Sequence, residues 1–189
     1  MGMDILAHTL WANAGARGAN ALAQKKGNKK FKISPVWTGF FGVAPDFFAF
    51  TFPFFIVIYN IIFGPASLSD FGKHHIVNSS GFDLAAYLYQ FSHSLVIFAL
   101  VFILVWVIYK RPRYELLGWA LHILIDIPSH SAGFYPTPFL FPISDYKFLY
   151  GVSWANQIYM IINYSALLLV WGSIFFTKFK NKKLAKNNK

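Results

Sequence analysis

Cysteine is absent from the 189-residue chain. Its absence excludes a disulfide framework, a thiolate zinc site and a cysteine nucleophile, and leaves any metal to histidine and carboxylate. Charge is scarce as well: Asp, Glu, Lys and Arg make up 13% of the residues, against about 25% in soluble domains. So few charges cannot cover the surface of a water-soluble globule of this size, and a hydrophobic content of 56% excludes a disordered chain. The composition is that of an integral membrane protein. Acids are the rarest charges, seven against 17 Lys and Arg, giving a net charge of +10.

Long apolar runs mark the spans. Residues 84–109 and 154–177 each approach the ~20 residues that cross a hydrocarbon core. Residues 36–63 form a third, aromatic-rich run, whose Pro45-Asp46 and Pro53 predict a helix that kinks or begins only after Asp46. A fourth segment, residues 114–127, would rise only about 21 Å as a helix. It spans by borrowing from its flanks or dips in part-way. With four crossings drawn, Arg17, Lys25, Lys26, Lys29, Lys30, Lys32, Lys110, Arg111, Arg113 and the six lysines from Lys178 onward fall on one side, fifteen of the 17 basic residues. Lys73 and Lys147 fall opposite. The positive-inside rule then places both termini in the cytoplasm. The basic balance is thus explained by topology and by attraction to membrane lipids, and no nucleic-acid partner is expected, because readable motifs are missing.

The amino terminus is not a signal peptide, since Asp4 stands where positive charge belongs and no long apolar run follows. It reads as an amphipathic helix. Asp4, Ala7, His8, Trp11, Ala12, Gly15, Gly18 and Ala19 share one face suited to close helix packing, with Thr9, Asn13, Arg17 and Asn20 opposite. The expected fold class is all-α: a polytopic membrane helical bundle of about four membrane segments plus this N-terminal helix. One domain covers residues 1–177, and a basic cytoplasmic tail with little structure covers residues 178–189.

Ionisable residues inside the spans are the functional signal, because each costs about 2.5–3.5 kcal/mol at mid-helix. Asp46, His93, His122 and Asp126 all fall near mid-membrane, from three helices, and His122 and Asp126 share a helix face at i and i+4. A lone intramembrane histidine is usually a satisfied interface residue. Here one divalent cation satisfies together what would otherwise need separate partners for His8, Asp46, His93, His122 and Asp126. His74 and His75 read as solvated, and Asp70, Asp83 and Glu115 as cap or surface charges. After Asp126 the prolines Pro136, Pro138 and Pro142 predict an extended loop, either the floor or lid of a site or a re-entrant segment packing at headgroup level. His130 is the weaker ligand candidate, since Pro128 is expected to break its helical spacing from Asp126.

The segments AHTLWAN around His8, GVAPDFFAF around Asp46, FSHSLVI around His93 and GWALHILIDIPSH around His122 and Asp126 together resemble the YdjM-like family of membrane-bound metal-dependent hydrolases. That family is LexA-binding and inner-membrane-associated, and is distantly similar to the helical zinc-dependent phospholipase C and single-strand nuclease group. The likeness covers the chain up to its last span. It implies His8, Asp46, His93, His122 and Asp126 as ligands of one or two divalent ions of the zinc type, in a bacterial- or archaeal-type plasma membrane. The expected activity is hydrolysis of a lipid, lipid-linked or phosphoester substrate by metal-activated water, with Asp4 or Asp126 as general base. A proton- or metal-coupled transporter and a scaffold with a structural metal site are the alternatives.

Overall fold

Proline does not end the first long helix. In the computed structural model, which describes residues 4–64, 79–133 and 135–187, helix α2 (Pro35–Phe63) runs unbroken with Pro45 and Pro53 inside it. Pro35 takes its first position, behind the Ser34 cap, where a missing N–H costs nothing. The expected start after Asp46 is therefore corrected. In apolar surroundings, leaving the helix would expose more unsatisfied backbone groups than the two donors the prolines remove.

The opposite correction applies to residues 84–109. This run has neither proline nor glycine, yet it forms two helices, α3 (Ser79–Ser92) and α4 (Leu95–Tyr109), bent by 58° at the break. Several of the backbone groups freed there find partners. Ser94 Oγ accepts from Val96 N and Ile97 N, capping α4. Trp119 Nε1 donates to the Ser92 carbonyl at 2.6 Å, Leu95 N donates to the Phe139 carbonyl at 3.0 Å, and the Ser94 hydroxyl donates to the Phe141 carbonyl. Irregular backbone at membrane depth is tolerated where protein covers it, and here the proline-rich loop does so. That loop is packed structure: Thr137 is buried.

Helix α1 (Ile5–Lys25) lies along α2 in antiparallel fashion, with Asn20 clamping both the N–H and the carbonyl of Ile33. A single 3₁₀ turn (Tyr114–Leu116) leads into α5 (Leu117–Ser129). Glycines let both neighbours approach α2. A β-carbon on Gly42 would stand 2.6 Å from Ala12 Cβ, and one on Gly118 would stand 2.1 Å from the Thr38 carbonyl oxygen. The α1 face is only partly as expected: Ala7, His8 and Ala12 are buried, while Gly15 and Gly18 are exposed. Its polar side is not idle, since Arg17 donates to Asn13 at 2.8 Å and lies over the Trp171 ring.

The last helix, α6 (Gln157–Asn187), continues through the lysine-rich end expected to be unstructured. It runs parallel to α1, so that Asp4 meets Tyr164 and Arg17 meets Trp171. Among the described residues the chain is all-helical, with one isolated bridge between Ser131 and Tyr150. Helix α2 and the Gln157–Lys180 part of α6 are long and apolar enough to cross a membrane, and α3 with α4 makes a third span if counted as one broken helix. These fit a membrane protein. Helix α5, at 13 residues, is not among them. Asp70, Lys73, His74 and His75 lie outside the described residues.

Candidate metal centre

Two helices and one helix break converge on a buried cluster. Asp46 comes from the middle of α2, His93 from the α3–α4 break, and His122 and Asp126 from successive turns of α5, none more than 1% exposed. Each offers one ligand atom, and these four atoms all lie within 4.8 Å of one another. His93 Nε2 is 3.3 Å from Asp46 Oδ1 and 3.3 Å from Asp126 Oδ2. His122 Nε2 is 3.5 Å from Asp46 Oδ1, 3.1 Å from Asp126 Oδ2 and 3.0 Å from His93 Nε2. A tetrahedral ion with bonds of 2.0–2.1 Å would set its ligands about 3.3–3.4 Å apart. The observed separations scatter around that edge length.

The outer nitrogens decide which way the lone pairs point. His122 Nδ1 lies 2.7 Å from the Gly42 carbonyl oxygen. A carbonyl only accepts, so Nδ1 carries the proton and Nε2 turns a lone pair to the cluster. His93 Nδ1 lies 2.8 Å from Ser92 Oγ, and its Nε2 points inward, in hydrogen-bond geometry with Asp46 Oδ1. Tyr89 stacks on the His93 ring at 3.7 Å between centroids, which fixes its plane. Two imidazole nitrogens and two carboxylates facing one another in a dry interior require a cation or extra protons. The carboxylates carry the same message, for Asp46 Oδ2 and both oxygens of Asp126 are buried without a hydrogen bond.

His8 joins from α1. Its ring packs on His122 at 3.9 Å, and its Nε2 is 3.1 Å from Asp126 Oδ1. Asp4 is placed differently. It caps α1 through Ala7 N and accepts from Asn163 Nδ2 at 3.1 Å and from the Tyr164 hydroxyl at 2.5 Å, so it anchors α6 to α1. It also borders a small void beside His8 and Asp126, together with Trp154, Tyr159 and Asn163.

Sequence reasoning undervalued His130. Pro128 lies inside α5, the helix continues to Ser129, and His130 N donates to the Asp126 carbonyl at 3.0 Å. The i, i+4 spacing therefore survives, and His130 Nε2 stands 3.6 Å from Asp126 Oδ1. The returning chain explains why the helix end is stable there: Val152 N and Trp154 N donate to the Pro128 and Ser129 carbonyls. Gly42 had no signal of its own in the sequence, because it acts through a partner 80 positions along the chain. Tyr135, in the loop, supplies the carbonyl that fixes His130, and burial pushes its phenol above the ordinary range, with the Asp83 carboxylate adding to the shift.

The cluster can hold a divalent cation between hard and borderline donors from four separate stretches of chain. No family model, no curated protein and no solved structure matches the sequence.

Proposed function

We propose that the chain is a membrane-embedded, metal-dependent hydrolase whose centre holds a divalent cation of the zinc type between Asp46, His93, His122 and Asp126, with its basic helix ends on the cytoplasmic side. The observation that carries this reading is the set of buried carboxylate oxygens without hydrogen bonds, facing imidazole nitrogens at ligand spacing. The order of the His, Pro-Asp, His-Ser and His-x-x-x-Asp segments, which resembles the YdjM-like hydrolases, supports it. When bound, such an ion supplies Lewis acidity, lowering the pKa of water toward 7 and polarising a phosphoryl or acyl oxygen.

The chain's own residues do the rest. Gly42 holds His122 in one tautomer, Ser92 steadies the His93 ring, and Tyr89 shields His93 from solvent. Asp126 faces imidazoles on both oxygens, which makes it a ligand. Asp4 borders the void without belonging to the four-residue cage and is assigned the general base. A centre at membrane depth selects a lipid, lipid-linked or phosphoester substrate. The broken helix at His93 favours a second reading, proton- or metal-coupled transport, since discontinuous helices line transport sites.

Elemental analysis of detergent-purified protein, wild type beside His122→Ala, tests the centre, and turnover of phosphoester and phospholipid reporters tests the reaction. Zinc bound by the wild type, lost in His122→Ala and required for turnover is the expected result. Equal metal content in both proteins would remove the centre, and bound zinc without turnover would remove the hydrolase.

A further inference from the structure

Helix α4 is apolar on every side and buries none of its residues. One stripe of it nevertheless faces protein. Ile97, Val101, Val105 and Tyr109 recur at four-residue steps and line two adjoining clefts of about 430 and 460 Å³. The facing wall is a stripe of α2 that runs the other way, through Trp37, Phe41, Ala44 and Phe48. Phe41 and Leu116 border both clefts, so the two form one groove. It shares no lining residue with the void beside His8 and Asp126.

The ends of the groove differ in character. The inner cleft is walled by apolar and aromatic side chains, with Ser92 at its side. The outer cleft opens between Trp37, Tyr109, Arg113 and Glu115, and the Arg113 guanidinium lies over the Tyr109 ring at 4.6 Å. Lys30, Lys32, Lys110 and Arg111 stand exposed on the segments at this end. Two contacts bring those segments together: Phe31 packs on Tyr114 at 5.4 Å between centroids, and Ser34 N donates to Glu115 Oε1 at 3.3 Å. The acid of the mouth is thus engaged, and the surplus charge there is positive. From Trp37 to Phe48 the groove rises about 16 Å along α2, roughly half of a ~30 Å hydrocarbon core.

We propose that this groove is a binding site for one anionic phospholipid of the leaflet at the basic end, with an acyl chain between α2 and α4 and the phosphate at Arg113. In a bilayer an apolar cleft fills with hydrocarbon, since an empty one forfeits dispersion contacts along both walls. The mouth selects which lipid supplies it: cationic side chains attract an anionic headgroup, and Trp37 and Tyr109 suit headgroup level. The depth of one leaflet fits a single chain. The site uses neither the metal nor the void, so it stands apart from the hydrolase reading. Its inner end reaches Ser92, which lies 2.8 Å from His93 Nδ1, and a seated chain therefore backs the helix break that carries this ligand.

Delipidated full-length protein in neutral detergent is titrated with phosphatidylglycerol and with phosphatidylcholine of the same chains, and lipid per protein is read by native mass spectrometry. One phosphatidylglycerol is expected to be held about 5-fold or more tightly than phosphatidylcholine. Arg113→Gln should lose most of that preference, and Val101→Trp, which fills the groove from a half-buried position, should lose retention of both lipids. Equal affinity of the wild type for the two lipids, or an unchanged preference in Arg113→Gln, would overturn the headgroup site. Unchanged retention in Val101→Trp would overturn the groove. Phosphatidylglycerol with a photoreactive acyl terminus decides the matter without a variant that must fold. Crosslinks are expected on residues 41–48 and 97–101, and labelling confined to the outer face of α6 would mean annular lipid only and overturn the site.

Discussion

Helix α2 contains two prolines and does not break, whereas the run from α3 to α4 contains none and bends by 58°. The difference lies in what is available to receive the freed backbone groups. Along α2 the helix keeps its remaining bonds through both prolines. At His93 and Ser94 the chain meets a serine cap, the Trp119 indole and the carbonyls of Phe139 and Phe141. A break in a helix is thus decided by its partners as much as by its own residues. His93, still bonded through its N–H to the Tyr89 carbonyl at the end of α3, stacks its ring on Tyr89 one turn back while reaching Asp46 and His122.

The contrast can be broken at three places. The largest effect is expected where α5 leans on the unbroken α2, at Gly118. A valine there forces its β-carbon onto the Thr38 carbonyl and should cost about 1–3 kcal/mol or more, with zinc content falling because His122 and Asp126 move together. Melting and zinc content of Gly118→Val in detergent check this, and a melt like that of the wild type would mean α5 is not seated as described. Next is Ser94→Ala, which removes the α4 cap and its tie to the loop. A loss of about 0.5–2 kcal/mol is expected, with zinc affinity lowered by about 10–100-fold through the displaced His93. Unchanged zinc binding in a titration would show that the break does not position that ligand. Smallest is Pro45→Ala, which restores a donor to an already continuous helix. Stability within about 1 kcal/mol of wild type and unchanged zinc content are expected, and a loss of zinc would give Pro45 a part in presenting the Gly42 carbonyl.

The helical class and the four cage residues were legible because an ionisable group in an apolar run is too costly to stand without a partner, and the i, i+4 spacing of His122 and Asp126 is local. What escaped depends on long-range partners. The break at Ser94 is completed by residues more than forty positions later, and the usefulness of His130 depends on a chain segment returning to satisfy the carbonyls of Pro128 and Ser129. Proline rules describe an isolated helix, so they placed the interruptions at Pro45 and Pro128, where the helices continue. Asn20 and Arg17 looked like a solvated face and prove to clamp Ile33 and meet Trp171. Helix α6 runs on to Asn187 through a stretch rich in Lys and Ala, which are good helix formers.

The pairing of Asp4 with Asn163 and Tyr164 sets an order of events during synthesis. These bonds join residues 159 and 160 positions apart, so the first acid of the chain waits for nearly the whole of it to be made. At about 5–20 residues per second that interval is roughly 8–30 s. Until α6 arrives, the Asp4 end of α1 lacks these partners, and the void next to His8 is open along that side. The helix that closes the centre is therefore made some 160 positions after the acid it binds.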